Sequence, residues 1–381
     1  MDFFDRVQEQ KDLWKLFEKN KNVLMLAPRR IGKTMLLHKL AEDSETMGFR
    51  GVVVDVEGYS EEKDFFQQLC SSIQEEIGTG RSLISTFTSR LKQAIHGDDS
   101  IKDWRQLLLH TDWQRFAETL LSTLNEPGDG KQLLIMVDEL PIFIMALLRK
   151  DGMERAKSFL YWLRNMQQRY KAVRWLYTGS IGLDAVARRE GMEGALVDME
   201  VYPLHQFSED TARSFMQHLT QKDQCRIETE AVNTILHGLG WLSPYYLDKI
   251  VSDACSNACS TALVTPAFAE QALEAMLDKS KRVYWSPWRE HLDKNFPEPE
   301  RTHLYTTLEI IAADPSGALR DTILMALNQG GAQVTSRELS FLLDTLITDG
   351  YITPCNGQSD RFRFVMNLLR LWWQRYVICE A

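Results

Sequence analysis

The chain has 381 residues, of which 44% are hydrophobic, and its formal net charge is −9. This length and composition predict two or three packed domains and exclude a fibrous or largely disordered protein. The acidic balance also excludes non-specific nucleic-acid binding through bulk positive charge.

The N-terminus and the apolar runs bear on where the protein acts. Residues 1–5 lack the basic region and long apolar stretch of a signal peptide, and no run reaches membrane-spanning length. We therefore expect a cytoplasmic protein with no membrane contact. The six cysteines are scattered, apart from Cys255 and Cys259. Their spacing favours free thiols over disulfides or a zinc site.

The first predicted elements are a helix at 5–19, a buried strand at 23–26, a loop, and a helix at 35–40. The loop ends in Gly32-Lys33-Thr34, so the order is strand, phosphate loop, helix. Loop amides and a helix N-terminus converge in such a motif and can hold a triphosphate. This order predicts a nucleoside triphosphate as ligand. A chance Gly-Lys-Thr before a helix is the alternative.

Within this loop we expect Lys33 to reach the β- and γ-phosphates and the Thr34 hydroxyl to ligate Mg²⁺. The motif departs from its usual form at Ala27, where glycine is standard. An added methyl group narrows the backbone options there but does not abolish the site. The remaining predicted nucleotide-binding residues are Pro28, Arg29, Arg30, Ile31 and Gly32.

A second motif ends a wholly apolar strand at 133–137 in Asp138-Glu139. Such a run is typical of a strand buried on both faces of a parallel sheet, whose carboxyl end is where ligands bind. We expect Asp138 to hold Mg²⁺, directly or through water, and Glu139 to act as general base toward the attacking water. A solvated acidic pair after a core strand is the alternative.

Further strands are predicted at 52–56 and 173–180, with helices at 65–77, 113–124 and 153–170. Residues 79–112 could be an insertion. Thr178 and Ser180 could contact the γ-phosphate or the attacking water, or could cap the following helix. Four strands alternating with helices predict an α/β P-loop NTPase core, a parallel sheet with helices on both faces, over 1–205.

The second half is predicted to be mainly helical. Residues 206–280 read as an α-helical lid and 281–303, which contain proline and tryptophan without a clean period, as a linker. Residues 304–381 predict three helices and a β-hairpin with Asn356-Gly357 in its turn. That order is the pattern of a winged-helix domain.

Taken together, these motifs resemble the archaeal-type ATPases of the STAND class of P-loop proteins. Residues 4–9 are similar to a box that precedes the family's first strand, and 28–34 to its double-arginine phosphate loop. Residues 138–141 are similar to its Asp-Glu-x-Pro strand end. Thr178-Gly179-Ser180 and 362–373 also resemble family segments. The likeness extends over nearly the whole chain.

The resemblance implies an Mg²⁺-dependent ATPase in which nucleotide state changes contacts among core, lid and winged helix. In the lid, residues 240–246 depart from the family's Gly-x-Pro contact to adenine by a longer spacing. Arg29 and Arg30 could sense phosphate or form salt bridges with a neighbouring element. No base-reading motif is visible, so GTP is not excluded.

The predicted winged helix raises the question of DNA. Arg337, Arg361 and Arg363 are the candidate contacts, but residues 304–381 hold six arginines, no lysine and eight acidic residues, a balance of −2. This charge favours a protein partner, or the chain's own core, over DNA.

Three functional hypotheses follow. The first is an ATP-hydrolysing switch, slow without a partner because no in-cis arginine finger stands out; a homo-oligomer could supply that arginine. Candidates within the chain are Arg164, Arg169, Arg188 and Arg189. The second is a DNA-binding regulator or loader that uses ATP. The third is a nucleotide-gated scaffold for an effector in bacterial defence or signalling.

Overall fold

The computed structural model describes residues 3–76, 80–95, 103–126, 130–179, 183–355 and 357–378. By its internal contacts the chain divides into two compact units. We call Arg6–Ala27 with Lys33–Leu204 the sheet unit, and Met1–Asp5, Pro28–Gly32 and His205–Ala381 the helical unit. The division falls inside the predicted phosphate loop, between Gly32 and Lys33.

The sheet unit is built on five parallel strands in the order β2-β3-β4-β1-β5. Parallel pairing requires long crossover connections, and helices supply them. The strands are β1 (Asn22–Leu26), β2 (Phe49–Asp55), β3 (Gln132–Asp138), β4 (Val173–Gly179) and β5 (Met199–Pro203). The helices are α1 (Val7–Glu18), α2 (Lys33–Asp43), α3 (Glu62–Glu76), α4 (Gly80–Ile95), α5 (Trp104–Leu109), α6 (Trp113–Leu124), α7 (Leu140–Asp151), α8 (Met153–Arg169) and α9 (Leu183–Arg189).

Both faces of this sheet are covered. Along β3, Ile135 and Val137 belong to a large core cluster that includes side chains of α3, α6, α7 and α8. The alternate residues Leu134 and Met136 point to the other face and are also fully buried. There α1 and α2 contact the sheet, with Trp14 of α1 tilted against Phe49 of β2 at 5.7 Å. The apolar strands therefore follow from burial on two sides.

Strand β5 and helix α7 are among the elements of this unit that escaped the sequence analysis. Strand β5 lies beside β1 at the edge of the sheet and has a single buried residue, Met199, so it lacks the apolar signal of the inner strands. Helix α7 begins immediately after Glu139, whereas the next helix was predicted only from residue 153. The predicted insertion at 79–112 contains α4 and α5, and residues 96–102 lie outside the described part.

The first part of the helical unit is mainly helical, as predicted. It contains α10 (Glu209–Lys222), α11 (Thr229–Leu239), α12 (Pro244–Asn257) and α13 (Pro266–Ala275), with short strands β6 (Arg226–Ile227) and β7 (Leu263–Val264). Ser208 caps α10, because its side chain accepts a hydrogen bond from the Thr211 amide at 3.1 Å.

The stretch 281–303 was predicted as a linker, but it contains helix α14 (Ser286–Asn295) and the start of α15. Trp288 and His291 of α14 are buried, and Trp288 lies in edge contact with Tyr351 at 5.0 Å. The Trp288 indole also donates to the Tyr246 hydroxyl at 2.6 Å. The aromatic residues that blurred the helical period are therefore core residues.

The C-terminal part combines four helices with a small antiparallel sheet in the order β8-β10-β9. A capping box joins Thr335 and Glu338 at the start of its third helix. The predicted hairpin is present, although Asn356 of its turn lies outside the described residues. The elements are α15 (Glu300–Ala312), β8 (Ala318–Leu319), α16 (Arg320–Gln329), α17 (Ser336–Thr348), β9 (Ile352–Cys355), β10 (Gln358–Phe364) and α18 (Asn367–Trp373).

None of the described helices is both long and apolar enough to cross a membrane.

Candidate nucleotide-binding site

In the sheet unit, the predicted phosphate-binding lysine, Lys33, is the first residue of α2. Strand β1 ends at Leu26, and α2 begins at Lys33. The Lys33 ammonium donates to the Ala27 carbonyl at 3.2 Å, and the residue is only 7% exposed. Its side chain therefore reaches back to the residue that follows β1 and is held out of bulk water.

The backbone explains why alanine is tolerated at the loop entrance. Positive φ angles occur at Arg30 (63°) and Gly32 (92°), and Ala27 is not among the positive-φ residues. A standard L-residue therefore fits position 27 without backbone strain. Gly32 is the position in this loop where glycine is needed.

Two predicted metal ligands are in direct contact. The Thr34 hydroxyl donates to Asp138 Oδ2 at 2.6 Å, and Asp138 is 4% exposed. Burial raises the pKa of Asp138, the Thr34 hydrogen bond opposes that shift, and the nearby Glu139 carboxylate adds to it. A hydroxyl and a carboxylate side by side form the hard oxygen pair that Mg²⁺ prefers.

Among the described residues, no group of three or more His, Cys, Asp or Glu side chains is placed to hold a metal ion. Mg²⁺ commonly binds through one or two protein oxygens together with substrate phosphates. The Thr34–Asp138 pair fits that mode of binding.

Glu139 sits on a sharp turn between β3 and α7. Its backbone is left-handed, with φ 57° and ψ 30°, and Pro141 opens the following helix. A Cβ placed on Gly179, at the end of β4, would lie 2.5 Å from Pro141 Cδ and 3.3 Å from Glu139 Oε2. The close approach therefore requires glycine at 179 and places the ends of β3 and β4 side by side.

One of the two predicted sensor residues can be located. Thr178 is 1% exposed, and its hydroxyl has no hydrogen-bond partner among the described residues. An unsatisfied buried hydroxyl is costly, so a polar ligand or water would compensate it. Ser180 lies outside the described residues.

In the helical unit, Arg29 of the loop is held by a buried chain of polar groups. Its Nη2 lies 2.7 Å from His291 Nδ1, and His291 Nε2 lies 2.8 Å from Asp349 Oδ2. Since a guanidinium only donates and a carboxylate only accepts, this pattern assigns the neutral Nε2–H tautomer to His291. His291 and Asp349 are each 1% exposed.

Arg30 and Pro28 are also engaged within the helical unit. The Ser243 hydroxyl donates to the Arg30 carbonyl at 2.5 Å, and the Arg30 guanidinium lies 4.2 Å from the centre of the Tyr245 ring. A Cβ on Gly350 would come within 2.6 Å of Pro28 Cβ. The stretch 240–246, singled out for its departure from the family spacing, thus contacts the loop itself.

Sequence reasoning missed the partners of the loop. His291 fell in the predicted linker, and Asp349-Gly350 read as an ordinary helix end. No local pattern signals that a helix-terminal aspartate contacts a histidine 58 positions earlier. Ser243 carried a weak signal only through its place near the expected lid motif.

The candidate DNA contacts and arginine fingers are dispersed. Arg361 donates to the Gly317 carbonyl at 2.9 Å, a structural contact, whereas Arg337 and Arg363 are exposed. Arg164 pairs with Asp198 at 2.6 Å, and Arg169 lies 3.6 Å from Glu118. Arg188 lies 3.8 Å from Glu193. None of these contacts involves the loop or the β3 carboxylates.

Two solved structures resemble the chain over almost its whole length. The Walker-type ATPase PABY2304 of Pyrococcus abyssi is 16% identical with a TM-score of 0.68, and the match covers 98% of this chain and 96% of that one. The ORC2 protein of Aeropyrum pernix, solved as ADPNP–ADP complexes, is 13% identical with a TM-score of 0.59, covering 99% and 96%. No protein-family model and no curated protein matches the chain.

At these identities the likeness establishes the fold. The parallel sheet order and the near-complete coverage confirm the predicted P-loop NTPase architecture with additional helical parts. What the chain binds and does has to be argued from its own residues.

Proposed function

We propose that this chain is an Mg²⁺-dependent ATPase of the archaeal STAND type that works as a molecular switch. The observation that carries the proposal is the contact between Thr34 and Asp138, with the buried Lys33 nearby at the start of α2. A hydroxyl, a carboxylate and an ammonium are the groups that hold Mg²⁺ and phosphate in P-loop proteins. Arg29 and Arg30, earlier in the same loop, contact His291 and Ser243.

On the side of the chemistry, Lys33 would bind the β- and γ-phosphates of ATP, and the loop amides would hold their oxygens. Thr34 and Asp138 would hold Mg²⁺, which when bound neutralises phosphate charge. Burial of Lys33 and Asp138 strengthens both interactions, because opposite charges attract more strongly where water is scarce.

For hydrolysis, Glu139 would orient and deprotonate the attacking water, and Thr178 would donate or accept a hydrogen bond beside it. The supporting geometry is the closeness of the β3 and β4 ends at Gly179, and the Thr178 hydroxyl, which has no partner among the described residues. We expect turnover to be slow in isolation, since three of the arginines considered as fingers, Arg164, Arg169 and Arg188, pair with carboxylates elsewhere.

On the side of the switch, Arg29 and Arg30 would report nucleotide state. Phosphate competes for guanidinium donors with any other acceptor. If Arg29 turns toward bound phosphate, His291 Nδ1 loses one donor, while Asn295 Nδ2 at 3.0 Å and Asp349 remain as partners of the ring. The loop would thereby act on α14 and on the end of α17.

The C-terminal part, interpreted as a winged helix, would pass this change to a protein partner or to a second copy of the chain. Four of its six arginines, Arg320, Arg361, Arg370 and Arg375, donate to backbone carbonyls. That leaves Arg337 and Arg363 as candidate DNA contacts, which is little for a phosphate backbone. Protein contacts are therefore the better supported output, with DNA regulation as the alternative.

Hydrogen exchange tests the coupling. We expect the amides of α14 and α17 to exchange at different rates in wild-type protein saturated with ATP analogue and with ADP. Arg29→Met should abolish that difference while nucleotide still binds, and Arg226→Met, an exposed arginine of the helical unit, should preserve it. Identical exchange in both nucleotide states of the wild type, with binding demonstrated, would refute the switch.

A further inference from the structure

A polar cleft lies in the sheet unit, at the amino end of the parallel strands. Its volume is about 770 Å³. Asn22 and Gln132 are the first residues of β1 and β3, and Arg174 is the second residue of β4. The Asp138 site lies at the opposite, carboxyl ends of these strands. The full lining is Lys19, Asn20, Lys21, Asn22, Gln132, Gln167, Lys171, Ala172, Arg174 and Asp198.

Arg174 is the unusual member of this lining. It is 4% exposed, and within the described residues its side chain makes one hydrogen bond, from Nη2 to Asn20 Oδ1. Its Nε is buried without a partner in that part of the chain. A guanidinium carries five donors, so most of its hydrogen-bonding capacity is unused. Burial also lowers the pKa of Arg174.

Among the residues that the structure describes, no carboxylate forms an ion pair with Arg174. Asp198, the acidic residue of the lining, accepts hydrogen bonds from Arg164 Nε at 2.6 Å and Gln168 Nε2 at 2.7 Å. A buried cation without an anionic partner is strongly disfavoured. Gln132 adds a second unsatisfied group, since its Oε1 is buried without a partner in the described structure. The cleft therefore contains polar groups that the fold itself does not satisfy.

The three lysines of the lining add positive charge at the rim. Lys19 and Lys171 form no ion pair with a described residue, and Lys21 is 3.7 Å from Glu200 with both side chains about half exposed. Lys19 and Lys171 follow the C-termini of α1 and α8, where cations stabilise the helix dipole. The helix ends thus explain these two lysines, but they do not explain Arg174, which is on a strand.

We propose that this cleft binds a small phosphate-bearing anion, with Arg174 as the buried anchor. A guanidinium matches phosphate oxygens with paired donors, and the rim lysines would meet the remaining charge. The volume suits a ligand of nucleotide or pyrophosphate size. Gln132 and Asn22 would contact its polar remainder. The site is independent of the phosphate loop and does not rest on the proposed ATPase activity.

Pyrophosphate binding to the full chain tests the proposal. The Lys33→Ala variant removes the main cation of the phosphate loop, so calorimetric titration of that variant should report the cleft. Adding Arg174→Met to it should weaken pyrophosphate binding about tenfold or more, because a charge-assisted contact is lost. Methionine fills the space without charge, so we expect the unliganded chain to remain folded.

Two further variants keep the test decisive. Lys19→Met with Lys171→Met changes only the exposed rim and should weaken pyrophosphate binding severalfold, whereas Arg226→Met in the helical unit should not. Comparing ADP with pyrophosphate in the Lys33→Ala background identifies the source of the phosphate, since tighter ADP binding indicates a nucleotide. No binding in that background, or binding unchanged by Arg174→Met, would overturn the proposal.

Discussion

The two stretches of the phosphate loop differ in what they contact. Lys33 and Thr34 bond to Ala27 and Asp138, all within the sheet unit. Arg29 and Arg30, only a few residues earlier, bond to His291 and Ser243 of the helical unit. Within one short segment, the end of the loop therefore contacts a carboxylate proposed to bind Mg²⁺, and the two arginines contact residues proposed to respond to nucleotide state.

The comparison shows that neighbouring residues of one sequence motif can differ in kind: some make contacts that the motifs themselves predict, and others make contacts that depend on the tertiary structure of this chain. Lys33 bonds within the strand–loop–helix, and Thr34 bonds to the carboxylate at the end of β3, 104 positions later. Both contacts join residues that belong to recognisable sequence motifs. The contacts of Arg29 depend on side chains more than 260 positions away, so they are particular to this fold. Variants on either side should therefore produce separable effects.

The largest effect is expected on the chemical side. Lys33→Ala removes a buried ammonium that would make two or more charged contacts with phosphate. ATP affinity should fall on the order of 10²-fold or more. Calorimetric titration measures it, with Lys15→Ala on the exposed side of α1 as control. Undiminished ATP affinity in Lys33→Ala would show that this loop is not the phosphate site.

A smaller effect, on stability, is expected on the signalling side. His291→Ala leaves the Asp349 carboxylate and the Arg29 guanidinium without the ring that joins them, in a buried site. Removing one member of such a buried arrangement costs about 3–5 kcal/mol in the free energy of unfolding.

Denaturant unfolding measures this change, with His237→Ala, an exposed histidine of α11, as the matched control. We expect the control to stay within about 0.5 kcal/mol of wild type. Equal stability of the two variants would contradict the buried chain of polar groups.

The smallest effect concerns the approach of Pro28 to Gly350. Gly350→Ala combines a positive φ of 80° with a Cβ only 2.6 Å from Pro28 Cβ. Gly331→Ala has a similar φ of 89° but open space around its Cβ. Both should lose about 1–2 kcal/mol from the backbone conformation.

Gly350→Ala should lose more, and it should also displace the loop and so alter ATP affinity. Gly331→Ala should leave ATP affinity unchanged. If the two variants behave alike in both unfolding and ATP titration, the loop is not sensitive to this contact.

The same division explains how much the sequence could predict. The inner strands could be predicted from their apolar runs, and Lys33, Thr34 and Asp138 from their positions within sequence motifs, because both signals lie in short stretches of sequence. Strand β5 gave no such signal, since Met199 is the one buried residue along it. Helix α7 is apolar along most of its length, so it lacks the alternation of apolar and polar residues that marks a surface helix.

The helical unit was less predictable because its core is aromatic and assembled from distant segments. Trp288 stacks edge-on to Tyr351 and bonds to Tyr246, so its place is set by residues far along the chain. His291 and Asp349 are similar: each reads as an ordinary helix residue until tertiary contacts bring them together. The buried position of Arg174 could not be predicted either, because a single arginine within a strand belongs to no recognisable sequence motif.

The most direct test of the central claim is steady-state ATP hydrolysis by wild type and by Glu139→Gln, with ATP binding measured on both. Glutamine has nearly the same size as glutamate and can occupy the same left-handed backbone conformation, but its amide cannot act as a base. We predict that hydrolysis falls by about 10²–10⁴-fold while ATP affinity stays within a few fold. Equal turnover in the two proteins would contradict Glu139 as the base, and no turnover in the wild type despite bound ATP would contradict an ATP-hydrolysing switch.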